Sequence, residues 1–109
     1  MSTKQSTIDY LLDQLSGIRD VSARKMFGEY ALYYDGKVVA LVCDDTLYIK
    51  ITEQGKEFMG SLYKEGHAYK GAKVSMMINE ENVEDREWLS ELIRVTASNL
   101  PIPKPKRNY

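Results

Sequence analysis

The chain has 109 residues, 43% of them hydrophobic and 28% charged, with one cysteine and one histidine. A chain of 12.5 kDa buries roughly two-thirds of its unfolded surface, which predicts one domain with one core. A lone cysteine excludes an intramolecular disulfide, and with a lone histidine it excludes a Cys/His zinc cluster. The N-terminus does not resemble a signal peptide, and the longest apolar run, residues 38–43, is too short to cross a membrane. These features predict a cytoplasmic protein.

The net charge is only −1, but the charges are unevenly distributed. Residues 101–109 contain Lys104, Lys106 and Arg107 and no acidic side chain, so this segment carries +3. The other 100 residues hold 12 of the 15 basic side chains and all 16 acidic ones, and they carry −4. A mildly acidic body is not typical of a duplex-DNA binder, whose contact surface is normally basic.

Apolar periodicity and capping residues predict three helices. The first begins at Ser6 or Thr7 and ends before Gly17, with apolar residues at helical spacing: Ile8, Leu11, Leu12 and Leu15. The second is capped by Thr52 and extends to about Tyr63. Asn82 is the predicted cap of the last helix, which has a long apolar stripe: Trp88, Leu89, Leu92, Ile93, Thr96, Ala97 and Leu100.

Strands fill the segments between these helices. Residues 23–34, 37–43 and 46–51 form a predicted meander, joined by an Asp35-Gly36 turn and an Asp44-Asp45 turn. Two further strands lie near residues 68–69 and 74–78. The element order is α-β-β-β-α-β-β-α, which predicts a two-layer α+β domain over residues 1–100 with helices on one face of an antiparallel sheet. Residues 101–109 are a predicted flexible tail rich in proline and lysine.

Two-residue turns determine which side chains share a face of the sheet. The predicted pairs are Tyr34 with Lys37, Leu32 with Val39, and Leu41 with Tyr48. The face predicted to be buried under the helices contains Phe27, Ala31, Tyr33, Val38, Ala40, Val42, Leu47, Ile49 and Ile51. The opposite face supplies the candidate interaction residues Arg24, Tyr30, Leu32, Tyr34, Val39, Leu41, Tyr48 and Lys50. Alternatively, the tail or the last helix covers this face, or a bulge shifts the register.

The sequence contains no arrangement that predicts catalysis, a metal site or a cofactor. Cys43 and His67 are the one pair that could form a thiolate and imidazole, and we interpret them as a buried thiol and a surface histidine. Asp44 and Asp45 are typical turn residues. We therefore expect a protein that is not an enzyme.

An exposed face of mixed apolar and aromatic character is typical of an interaction site. The leading hypothesis is contact with a protein partner through this face, with a homodimer as the simplest case. The alternative is nucleic-acid binding, in which Tyr30, Tyr34 and Tyr48 stack bases beside Arg24, Lys37 and Lys50, helped by the basic tail.

A family resemblance is carried by ARKMFG at residues 23–28, YALY at 30–33, DGK at 35–37 and LYIK at 47–50. These runs resemble the N-terminal domain of the TfoX/Sxy family of bacterial competence regulators, over about residues 5–106. The resemblance implies a two-layer α+β fold and a bacterial cytoplasmic protein. For full-length regulators it also implies help in activating competence promoters alongside the cyclic-AMP receptor protein. Full-length regulators carry a second, helical domain, and Glu29 replaces a second glycine found in many members.

Overall fold

The computed structural model describes residues 3–26 and 28–100. The predicted tail and Phe27 lie outside these residues. The elements are α1 (Gln5–Gln14), β1 (Val21–Met26), β2 (Glu29–Tyr34), β3 (Lys37–Cys43), β4 (Thr46–Ile49), α2 (Glu53–Met59), a 3-10 turn (Gly60–Leu62), β5 (Glu65–His67), β6 (Val74–Met77), α3 (Glu80–Val83) and α4 (Arg86–Ser98).

The strands form one six-stranded sheet in the order β1-β2-β3-β4-β6-β5, and all neighbouring pairs are antiparallel. The α+β class and the predicted element order are confirmed. The segment 23–34, expected as one strand, is a pair of strands, because β1 ends at Met26 and β2 begins at Glu29. Gly28 has a φ of 83°, a left-handed conformation that glycine adopts at little cost. It therefore turns the chain where a continuous strand was expected.

The helix ends follow their capping groups. Thr52 caps α2 as predicted, since its Oγ1 accepts a hydrogen bond from the Gly55 amide at 2.9 Å. The predicted cap at Asn82 is wrong, because Asn82 lies inside the single turn of α3. Asp85 caps α4 instead, and its Oδ1 accepts from the Trp88 amide at 3.1 Å. A carboxylate there also stabilises the positive end of the helix dipole.

The helices cover one face of the sheet and enclose a single core. Its most completely buried side chains are Ile8, Leu15, Leu32, Val39, Val42, Ile49, Met76, Leu89, Leu92, Ile93 and Thr96. Lys37 lies on this side, because its Nζ donates to the carbonyls of Ala97 at 2.8 Å and Leu100 at 3.3 Å. The expectation that Lys37 lies on the open face is therefore wrong, and its ammonium instead satisfies carbonyls at the end of α4.

None of the helices within the described ranges is long and apolar enough to span a membrane.

Candidate interaction face of the sheet

A bulge in β3 decides which residues face the helices. Tyr34 pairs with Lys37 and Tyr33 with Val38, but Leu32 pairs with Ala40, so Val39 is an extra residue in its strand. Because side chains alternate along a strand, a shift of one residue moves a whole set of side chains to the other face. The predicted pairing of Leu32 with Val39 is therefore wrong.

Four candidate residues consequently belong to the helix-covered face. Tyr30, Leu32 and Val39 are 8%, 0% and 1% exposed and lie in the core, and Tyr34 is partly buried against it. The Tyr30 hydroxyl donates to Oε1 of Gln5 in α1 at 2.8 Å. Their expected placement on the open face is wrong, since the bulge turns this part of β2 toward the helices.

Three of the remaining candidates lie on the open face, as the sequence predicts. Leu41 pairs with Tyr48 across β3 and β4, and both are partly exposed on the face away from the helices. Arg24 is exposed and pairs with Ala31, which shares this face because it pairs with Leu41. Lys50 is exposed one residue after β4 ends. Their role in binding stays a prediction.

The bulge also brings residues to the open face that the sequence assigned to the core. Ala31, Tyr33 and Val38 now share a face with Leu41, which corrects their predicted position. Met77 joins them because it pairs with Tyr48. No residue of β2 or β3 identifies the bulge beforehand, because both alternating sets of these strands are largely apolar and either register would bury hydrophobic side chains.

The open face contains a groove of about 380 Å³. It is lined by Met26, Glu29, Tyr30, Leu41, Cys43 and Tyr69. Tyr69 belongs to the loop between β5 and β6, so this loop must lie across the face to reach residues of β1 and β3. Tyr69 is 60% exposed and Met26 is 41% exposed. The groove is thus an accessible apolar depression with an aromatic ring at one wall.

Tyr48 extends the apolar surface toward β6 and β5. A Cβ atom on Gly66 would lie 3.3 Å from Cε2 of Tyr48 and 3.3 Å from Sδ of Met77, so the absence of a side chain lets both approach the β5 backbone. Partial burial raises the pKa of the Tyr48 phenol, and nearby Cys43 and Asp44 raise it further. The hydroxyl therefore stays protonated at neutral pH and can donate a hydrogen bond to a partner.

Charged groups border the groove. The Arg24 guanidinium lies 5.5 Å from the ring centroid of Tyr33, a cation–π arrangement. Glu29 accepts hydrogen bonds from the Thr3 hydroxyl and from the Asp44 amide. Glu29 therefore fastens the N-terminal segment and the β3–β4 turn to the start of β2, a structural role for the residue that departs from the family pattern.

The arrangement does not assemble a thiolate and imidazole. Burial raises the pKa of the Cys43 thiol, and the Glu29 carboxylate raises it further, whereas reactive cysteines have lowered values. His67 lies in β5, three strand positions from β3, a separation of about 14 Å. Its Nδ1 lies 2.9 Å from the Ala72 carbonyl. Cys43 and His67 are therefore not a catalytic pair.

The turn aspartates have structural partners. Asp44 and Asp45 both have positive φ, at 51° and 60°, a conformation that aspartate tolerates better than most residues. Oδ1 of Asp45 accepts from the Lys4 amide at 2.9 Å and from the Thr7 hydroxyl at 2.8 Å. Within residues 3–26 and 28–100, no group of three or more His, Cys, Asp and Glu side chains is arranged to hold a metal ion.

Comparison with known proteins gives one family and two relatives. The TfoX N-terminal domain matches residues 13–100. An uncharacterized 12.7 kDa protein in the trpE 5' region of Spirochaeta aurantia is 40% identical over 107 residues, which cover 98% of this chain and 91% of that protein. Protein Sxy of Escherichia coli strain K12 is 28% identical over 86 residues, which cover 79% of this chain but only 41% of Sxy.

Proposed function

Because the chain belongs to the TfoX N-terminal domain family, we propose that it is a regulatory or adaptor domain of the bacterial cytoplasm. It acts by protein–protein contact and not by catalysis. The contact surface is the open face of the sheet, and the simplest partner is a second copy of the chain. In line with the resemblance to competence regulators, the contact would serve co-regulation of transcription.

The groove beside Leu41 is the observation that carries this proposal. Met26, Leu41 and Tyr69 present apolar surface around a depression on a face that none of the helices in residues 3–26 and 28–100 covers. Surfaces of this kind mark interaction sites in soluble proteins. Tyrosine is favoured in them because its ring is apolar while its hydroxyl can still hydrogen-bond.

The chemistry of the titratable groups supports a role without catalysis. The raised pKa of Cys43 makes it a poor nucleophile at neutral pH. The raised pKa of Tyr48 makes its phenol a hydrogen-bond donor and a poor general base. Both features suit a surface that is recognised by shape, apolar area and hydrogen bonding.

The test is solution mass by light scattering across a concentration series. We expect wild-type protein to form a dimer and Leu41→Lys and Tyr48→Glu to remain monomeric with native circular dichroism. The matched control is Val74→Lys, which changes a 41% exposed apolar residue on β6 whose side chain alternates to the other face from Met77. A mass that stays monomeric throughout, or a dimer that survives both open-face substitutions, would contradict self-association through this face.

Nucleic-acid binding is the second candidate, and the cation–π contact between Arg24 and Tyr33 favours it. Stacked aromatic rings beside cations are typical of single-strand binding surfaces. Fluorescence anisotropy with a labelled single-stranded oligonucleotide tests it. If this function holds, affinity falls with rising salt and Tyr48→Ala weakens binding. No binding at 50 mM salt would reject this candidate.

A further inference from the structure

A second depression lies on the opposite side of the molecule. It is a cleft of about 470 Å³ between α1, the start of β4 and α3. Its apolar lining residues are Leu11, Leu47, Ile78 and Val83. The charged groups around them are mainly acidic, namely Asp45, Glu80 and Glu84, with Lys4 as the cation. The cleft therefore combines an apolar floor with a negatively charged border.

Hydrogen bonds at both ends of α1 hold the cleft in shape. At the N-terminal end, Asp45 accepts from the Lys4 amide and the Thr7 hydroxyl. At the C-terminal end, Nε2 of Gln14 donates to the carbonyls of Val83 at 2.8 Å and Glu84 at 3.1 Å. Gln14 is itself only 6% exposed. Because its walls are fastened in this way, the cleft needs little rearrangement to receive a ligand.

The charges determine what kind of ligand fits. The hydrogen bond from the Lys4 amide, followed by that from Thr7, holds the pKa of Asp45 below its ordinary value, so this carboxylate stays ionised. Among the described residues, neither Glu80 nor Glu84 forms an ion pair. A ligand with cationic groups next to an apolar or aromatic side chain would satisfy both the border and the floor.

We propose that the basic tail of the same chain, residues 101–109, docks in this cleft through its last four residues. Lys106 and Arg107 would face Glu80, Glu84 and Asp45, and the ring of Tyr109 would lie on the apolar floor. The tail carries +3 and the rest of the chain carries −4. This inference does not depend on the open face or on the proposed function.

The distances allow the contact within one chain. The Leu100 carbonyl accepts a hydrogen bond from Lys37, which holds Leu100 at the end of α4. Glu84 lies just before the start of α4. At about 1.5 Å per residue, the path along α4 from Glu84 to Leu100 covers about 24 Å. Nine residues of extended, proline-rich chain span about 28 Å. Only the last residues of the tail reach the cleft, which is why the docking is assigned to residues 106–109.

Paramagnetic relaxation enhancement in the full-length protein tests the contact. A nitroxide is attached to Asn108→Cys in a Cys43→Ser background, and ¹⁵N amide peak intensities are compared with those of the reduced label. We expect strong loss of intensity at the amides of Thr46, Ile78 and Val83 and none at Ser22 on β1. Raising the salt to about 1 M shortens the Debye length to about 3 Å and should restore the peaks.

Charge variants separate recognition from chance proximity. Glu80→Lys combined with Glu84→Lys should abolish the intensity loss. The matched control, Glu53→Lys combined with Glu57→Lys, changes the net charge equally on exposed positions of α2 and should preserve it. Lys106→Glu combined with Arg107→Glu alters only the tail, leaves the folded body unchanged, and should also abolish the effect.

A mixed sample identifies the origin of the tail. One sample carries the nitroxide at natural nitrogen abundance, and the other is ¹⁵N-labelled and carries no nitroxide. If the tail docks within its own chain, mixing the two causes no intensity loss in the ¹⁵N protein. Intensity loss in this mixture would show that the tail of a second copy occupies the cleft, and it would overturn the proposal as stated. The proposal is also overturned if the spin-labelled protein shows no loss at the cleft, or if the α2 control abolishes the loss as completely as the cleft variant does.

Discussion

The two faces of the sheet differ more than their sequences suggest. Leu32 and Val39 lie on the helix-covered face and are 0% and 1% exposed, whereas Leu41 and Tyr48 on the other face keep part of their surface accessible. Both faces are rich in aliphatic and aromatic side chains. The helices bury one of them. Within the described part of the chain, only the loop that contains Tyr69 covers part of the other, so its remaining apolar surface stays uncovered.

One inserted residue decides which of these similar side chains are buried in the core and which lie on the open face. Tyr30 and Tyr34 are structural because the bulge at Val39 turns them toward the helices. Tyr33, the residue between Leu32 and Tyr34 in the chain, lies beside Arg24 on the open face. A surface that binds a partner is thus built from residues that alternate with core residues in the same strands.

The largest expected difference comes from truncating a leucine on each face. Leu32→Ala should lower the free energy of unfolding by about 2–5 kcal/mol, because it leaves a cavity in the closed core. Leu41→Ala should cost only about 1 kcal/mol, because its side chain is already partly solvated. Urea denaturation measures both. Equal losses would mean that the open face is covered as completely as the core.

Two buried threonines on the core side should respond in opposite directions to the loss of their hydroxyl groups. Thr96 Oγ1 is buried and has no hydrogen-bond partner among the residues that the structure describes, so Thr96→Val should raise the free energy of unfolding by up to about 1 kcal/mol. Thr52 is similarly buried, but its hydroxyl caps α2, so Thr52→Val should lower it by about 1 kcal/mol. Thermal and urea unfolding measure both changes. Destabilisation by Thr96→Val would show that its hydroxyl has a partner.

The phenols of two β2 tyrosines on opposite faces of the sheet give a smaller contrast. Tyr30→Phe removes the hydroxyl that donates to Gln5 at 2.8 Å and should cost about 0.5–1.5 kcal/mol. The matched change Tyr33→Phe should have a smaller effect on monomer stability, because its ring is partly exposed on the open face. The comparison is made by urea denaturation at low protein concentration. A larger loss for Tyr33→Phe would reverse the assigned register.

The Asp45 carboxylate, in the turn between β3 and β4, should make the stability of the protein depend on pH. Its folded-state pKa is below the ordinary value of 3.8, chiefly because of the hydrogen bond from the Lys4 amide. Its contribution to stability is therefore fully present above pH 3.8 and is lost as the pH falls through the folded-state pKa. The melting-temperature advantage of wild type over Asp45→Asn should be constant from neutral pH to about pH 5 and shrink below pH 3.8. An advantage unchanged at pH 2 would contradict this role.

The sequence predicts the fold well and the open face only in part, for a physical reason. Turn residues such as Asp44 and Asp45 determine the β3–β4 register, so the pairing of Leu41 with Tyr48 follows from hairpin geometry. The β2–β3 register is different, because apolar residues flank Val39 on both sides and hydrophobic alternation cannot choose between two registers. The position of Tyr69 over the face depends on long-range packing of a loop, which local patterns do not encode.

Methionine methyl NMR tests the central claim, contact through the open face, most directly. Met26 and Met77 lie on the open face, while Met59 and Met76 lie in the core, 4% and 0% exposed. Met76 and Met77 are neighbours in β6, so each serves as a control for the other. On raising the concentration of ¹³C-methyl protein, the methyl signals of Met26 and Met77 should shift while those of Met59 and Met76 stay fixed. Shifts confined to the core methionines, or no shift at any concentration, would contradict self-association through the open face.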